Sequence, residues 1–145
     1  MAHFTATIDC TVSCEAAFTY MADFSNAALW DPTVTRVTRE SAGEVGLGTR
    51  FKVFLGMGPA EVSLKYETKR FEPNQCLVFE ANTPLLRSLD TIQLEAYRQG
   101  CRLHYDADVR LRGAASLFDL PTHLAFQVSG RRSLAGLKAA LAEIA

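Results

Sequence analysis

Arg102-Leu103-His104-Tyr105-Asp106-Ala107-Asp108-Val109-Arg110-Leu111-Arg112 alternates without a break. Leu103, Tyr105, Ala107, Val109 and Leu111 oppose Arg102, His104, Asp106, Asp108, Arg110 and Arg112. A period of two predicts a strand with one buried face and one wet face. Soon afterwards the period changes. Between Pro121 and Ile144, Leu124, Val128, Leu134, Leu137, Leu141 and Ile144 recur at helical spacing, and Pro121 suits a first helical turn. Such a helix is about 36 Å long at 1.5 Å per residue. Gly130 and Gly136 inside it each cost about 1 kcal/mol against alanine, which implies a bend or a close approach to the sheet or to a ligand.

Upstream, the same alternation recurs between turn residues. Phe4, Ala6, Ile8, Cys10 and Val12 mark an opening strand. Ser13 is a plausible N-cap for a short helix over residues 14–22, with Glu15 in its first turn, and a second short helix over 25–29 runs to Trp30-Asp31-Pro32. Further strands are expected over 34–41, 49–55, 61–71, 76–81, 88–97 and 102–112, cut by Gly43, Gly46 and Gly48, then Gly56-Met57-Gly58-Pro59, Pro73-Asn74, Asn82-Thr83-Pro84 and Gln99-Gly100. Short links between successive strands imply an antiparallel meander. The expected class is α+β: a curved seven-stranded antiparallel sheet gripping the long C-terminal helix, with two short helices after the first strand. A cavity opens wherever sheet and helix separate.

The 145 residues are 48% apolar and 21% charged, with a net charge of −1, which fits one domain over 1–145 and excludes a disordered tail. Near-neutral charge argues against a nucleic-acid partner, and no apolar run reaches the roughly 20 residues of a membrane span. The N-terminal residues lack the basic and apolar regions of a signal peptide. Cys10, Cys14, Cys76 and Cys101, with no C-x-x-C pair, read as free thiols in a reducing compartment, so a cytoplasmic protein is expected. His3, His104 and His123 show no ligand spacing with the cysteines, and neither a metal nor a cofactor is expected. A homodimer is left open.

The order of these elements, with several short motifs, resembles the START/Bet v 1-like (SRPBCC) superfamily, in its polyketide cyclase/dehydrase-like branch. The motifs are Ser13-Cys14-Glu15-Ala16-Ala17-Phe18, Asp23-Phe24-Ser25-Asn26, Trp30-Asp31-Pro32, Gly46-Leu47-Gly48-Thr49, Phe71-Glu72-Pro73, Gly100-Cys101-Arg102-Leu103 and Gly136-Leu137-Lys138. The resemblance implies a helix-grip fold. It also implies a pocket shared by aromatase/cyclases, lipid and hormone binders and quinone-binding proteins, rather than one reaction.

Strand parity then selects candidate site residues. Val62, Leu64, Tyr66, Phe79, Leu94, Tyr105 and Val109 are expected to line an apolar body. Continuing the parity brings Thr68, Arg70, Ser88 and Asp90 inward. With tight turns, Arg70, Phe79 and Asp90 would share a lateral row, making a polar pole that orients an amphipathic ligand. The alternative is that these four sit at strand ends in water or form a structural ion pair. Tyr66 and Tyr105 are either ligand donors or core aromatics bonded to backbone. Trp30 either lids the pocket or plugs the core. His104, Asp106 and Asp108 have a spacing that would hold a divalent metal, but their parity turns them to the convex face. No G-x-S-x-G elbow is present, and the glycine pairs precede strands, so neither a hydrolase triad nor a phosphate loop is supported. The expected function is binding of a hydrophobic small molecule, polyketide-like, aromatic or lipid. The alternative is a cyclase, aromatase or dehydratase in which Tyr66, Tyr105 or the Arg70/Asp90 pair moves protons.

Overall fold

Seven strands follow one another across a single sheet in a computed structural model that describes residues 2–57 and 59–144. They are β1 (Ala2–Cys10), β2 (Val34–Arg39), β3 (Arg50–Met57), β4 (Ala60–Glu72), β5 (Cys76–Asn82), β6 (Leu86–Tyr97) and β7 (Gly100–Leu111). The spatial order is β1-β7-β6-β5-β4-β3-β2, every pair antiparallel. β2 through β7 form the expected meander, and β1 closes it by pairing with β7. The helices are α1 (Cys14–Ala22), α2 (Ala27–Trp30) and α3 (Asp119–Glu143), with 3-10 turns at Phe24–Asn26 and Gly113–Phe118. Ser13 caps α1 as its sequence implies, accepting from the Ala16 amide at 3.1 Å.

Register determines what the concave face presents. One lateral row runs Phe4, Ala107, Asp90, Phe79 and Thr68, and a second runs Ala2, Val109, Ser88, Ala81, Tyr66 and Phe51. The register shifts between Thr68 and Arg70, where β4 bulges at Lys69. An extra residue reverses facing, so Arg70 pairs with Val78 rather than Phe79 and turns outward. Phe71 then returns to the inner face opposite Leu77.

Two halves of that face are filled differently. Towards α1, Phe24 stacks on Phe79 at 4.4 Å between ring centroids and touches Phe51 and Tyr66, while Phe18 packs edge-on against Phe71. Towards α3 the helix leans on β1 and α2 rather than on the middle of the sheet. Its contact face is built from Gly130, Leu134, Leu137 and Leu141, and Gln127 donates to the His3 carbonyl of β1. Leu124, Val128 and Ile144 of the expected stripe are exposed instead. At 3.6 residues per turn Val128 lies about 160° from Gly130, and the glycine, not the larger side chain, faces the sheet. Both helix glycines mark close approaches. A Cβ on Gly130 would meet the Phe4 ring at 2.6 Å, and one on Gly136 would meet the Trp30 carbonyl oxygen at 2.0 Å.

The expectation of four free thiols is corrected. Cys14 and Cys101 form a disulfide that ties α1 to β7, with Cα atoms 4.9 Å apart, and Cys10 and Cys76 remain free. Sequence spacing conceals this pair because the two residues are 87 apart and meet only after β1 docks on β7. The compartment argument from free thiols loses that support. No helix among the described residues is long and apolar enough to cross a membrane.

Candidate functional site

Between α3 and the open half of the sheet lies a cavity of about 370 Å³. Its apolar walls come from Phe4 and Ala6 of β1, Leu55 and Leu64 of the β3–β4 pair, Leu86 of β6, Ala107 and Val109 of β7, and Leu134 and Leu137 of α3. Trp30 closes one side, edge-on to Tyr105 at 5.9 Å between centroids. It is only 6% exposed and lines the cavity, so it is core and wall together.

Polar groups converge in two places. On the sheet, Tyr105 donates to Asp90 Oδ2 at 2.6 Å, and the Tyr66 hydroxyl meets Ser88 Oγ at 2.8 Å. Register explains both contacts. Tyr105 is the diagonal neighbour of Asp90, whose direct partner is the small Ala107. Tyr66 shares a row with Ser88, and Ala81 between them is small enough for the phenol to pass over. On the helix side, Asp31 Oδ1 accepts from the Thr33 amide at 2.9 Å, the Thr33 hydroxyl at 2.7 Å and Ser133 Oγ at 2.8 Å.

Burial governs the electrostatics. Removal from water pushes the Asp90 carboxyl up to about 7, the Tyr105 hydrogen bond opposes this, and the charges of Asp31 and Asp106 add to it. Burial, followed by the charge of Asp90, pushes both Tyr66 and Tyr105 well above the usual phenol range. Asp90 is therefore the group poised to gain or lose a proton near neutrality, and both phenols stay protonated donors.

Of the candidate site residues, Trp30, Leu64, Tyr66, Ser88, Asp90, Tyr105 and Val109 line this cavity. Neither tyrosine hydroxyl bonds backbone; each meets a side chain. Five do not line it. Arg70 is corrected outright: the β4 bulge turns it to the convex face, where it pairs with Glu72 at 2.5 Å. Val62 is 42% exposed, because β5 pairs with β4 only from Tyr66 onward and leaves the earlier residues of β4 as an open edge beside β3 and β2. Phe79 is sealed beneath Phe24, and Leu94 lies in the core on the half of the sheet that α1 covers. Thr68 is 1% exposed, and its hydroxyl has no hydrogen-bond partner among the described residues.

Asp31, Ser129 and Ser133 were not singled out. The signals were present: Asp31 stands inside Trp30-Asp31-Pro32, and Ser129 and Ser133 are four apart beside Gly130, one polar stripe on a helix. On the convex face His104 contacts Thr7 and Glu95, Asp106 contacts His3, and Asp108 lies 3.6 Å from Arg110. The His123 side chain lies outside the described residues. Among the described residues no group of His, Cys, Asp and Glu is arranged to hold a metal.

This geometry matches known folds over nearly its whole length. ZhuI aromatase/cyclase from Streptomyces sp. R1128 superposes with a TM-score of 0.74 at 15% identity, covering 98% of this chain and 92% of that one. TTHA0849 from Thermus thermophilus gives 0.76 at 14% identity, with 97% and 95% covered. Ara h 8.0201 gives 0.70 at 14% identity, with 96% of each covered. At these identities the likeness is one of fold. No curated protein matches the chain by sequence. Residues 1–142 match the family described as polyketide cyclase / dehydrase and lipid transport, and the chain belongs to that family.

Proposed function

We propose that the chain acts as one ligand-binding domain that holds a hydrophobic small molecule, polyketide-like, aromatic or lipid, between α3 and the sheet. The observation that carries this reading is the cavity itself: about 370 Å³, mostly apolar, with a few convergent hydroxyls and carboxyls. Trp30, Leu64, Tyr66, Tyr105 and Val109 supply the body, and Ser88 and Asp90 the polar end. A small molecule, not a nucleic acid, is the partner. Native mass spectrometry of the purified protein, with organic extraction, tests this. A co-purifying apolar molecule, or saturable binding of the neutral dye N-phenyl-1-naphthylamine by an empty protein, is expected. Failure of both would overturn it.

A second reading is favoured by one contact, Tyr105 on Asp90. A carboxyl titrating near 7 beside a protonated phenol suits proton transfer in a cyclase or dehydratase, where the cavity confines a reactive chain. Incubation with a poly-β-ketone thioester tests it. A cyclised or dehydrated product from wild-type protein, lost in Asp90→Asn, supports it, and equal conversion by both proteins contradicts it.

A further inference from the structure

On the ligand-binding reading, the polar groups of the cavity decide which ligands it admits. Its described lining residues include two carboxyls, Asp31 and Asp90, and no lysine, arginine or histidine. Among the described residues, each carboxyl finds donors on one oxygen and none on the other. Asp90 Oδ2 takes the Tyr105 proton, and Asp31 Oδ1 takes all three donors from Thr33 and Ser133. Among the described residues, the sealed side-chain atoms without partners are Thr68 Oγ1 and Asp108 Oδ1, so neither spare carboxyl oxygen is walled off. Both carboxyls line the cavity.

The nearby hydroxyls do not reverse this polarity. The Tyr105 proton points at Asp90, one proton of the Tyr66 and Ser88 pair is spent between them, Ser133 lies between Asp31 and the Ser129 carbonyl at 3.0 Å, and none of these hydroxyls carries a charge. Arg70, the cation that sequence parity places here, faces away with Glu72. An anionic head group brought inside would lose its water, meet no compensating cation and face like charge. A donor head group would instead find an unfilled acceptor in a low-dielectric site.

We propose that the cavity selects apolar molecules whose polar end donates a hydrogen bond, such as a phenol, alcohol or ammonium, and excludes carboxylates and phosphates. Free fatty acids and aryl acids are then poor ligands despite their apolar bodies.

Isothermal titration at pH 7.5 with 2-naphthol, 2-naphthylmethylamine and 2-naphthoate, alike in ring body, tests the selection. The naphthol and the amine are expected to bind at least about tenfold more tightly than the naphthoate. Asp90→Asn and, separately, Asp31→Asn narrow that gap, provided each variant keeps a cooperative thermal transition. Two independent carboxyl variants guard against one failing to fold. Equal affinity for all three probes, or tighter binding of the naphthoate, overturns the selection while leaving the ligand-binding reading standing. If none of the three binds and N-phenyl-1-naphthylamine also fails, the ligand-binding reading falls and the selection with it.

Discussion

Tyr105 and Asp90 stand on neighbouring strands, diagonal to one another, and join at 2.6 Å inside an otherwise apolar cavity. The folded chain holds the Asp90 carboxyl at about 7, against 3.8 for an ordinary aspartate, chiefly by burial. Between about pH 4 and pH 7 the folded protein therefore retains a proton that the unfolded chain releases. Stability present at low pH is lost as pH rises through that window, by on the order of 4 kcal/mol in total. Asp90→Asn removes the dependence. Urea unfolding at a series of pH values should show the wild type losing stability relative to the variant from pH 4 to 7.5, and parallel profiles would contradict the burial of this carboxyl.

Gly136 packs its α-carbon against the Trp30 carbonyl, where a methyl group would stand 2.0 Å from backbone oxygen. Backbone cannot rotate aside, so Gly136→Ala is expected to cost about 1–3 kcal/mol or more by overpacking, read by chemical denaturation. Gly130→Ala meets the ring of Phe4, a side chain that lines the cavity. That ring yields towards the open space, so this variant should weaken dye binding more than it lowers stability.

Reduction of Cys14–Cys101 releases α1 from β7. A link between residues 87 apart restrains the unfolded chain, and its loss is expected to cost about 2–4 kcal/mol. Thermal melts with and without a thiol reductant should differ for the wild type and coincide for a Cys14→Ser/Cys101→Ser double variant. Coincident wild-type melts would show that the link contributes nothing.

Arg70 touches Glu72 on the exposed face, and exposed ion pairs contribute less than about 1 kcal/mol. Arg70→Met should leave dye affinity unchanged and stability nearly so. A large loss of affinity would return this arginine to the site.

How far these features were legible depends on whether local pattern or distant contact decides them. Alternation in residues 102–112 shows the strand and its buried face directly, since neighbours in sequence determine facing, while the period after Pro121 shows the helix but not its buried face, for Leu124, Val128 and Ile144 are exposed. The inward facing of Leu64, Tyr66, Ser88, Asp90, Tyr105 and Val109 followed from the same parity. A single bulge at Lys69 defeats that argument at Arg70, because one extra residue reverses facing and leaves no mark in the hydrophobic pattern. Phe79 and Leu94 face the core as parity requires; what covers them, Phe24 and α1, is tertiary. Cys14–Cys101 and the Ser133–Asp31 contact join residues 87 and 102 apart, beyond the reach of spacing.

The cavity is the centre of this account, and filling it is the most direct test. Trp30, the one tryptophan in the chain, lines it and reports occupancy by energy transfer to N-phenyl-1-naphthylamine. Ala107 faces the same space opposite Asp90, so Ala107→Phe occupies it from the sheet side. Wild-type protein should show saturable, single-site transfer, and Ala107→Phe, folded by its thermal transition, should lose at least about tenfold in affinity. Undiminished binding by the filled variant would place the dye elsewhere and contradict the site between α3 and the sheet.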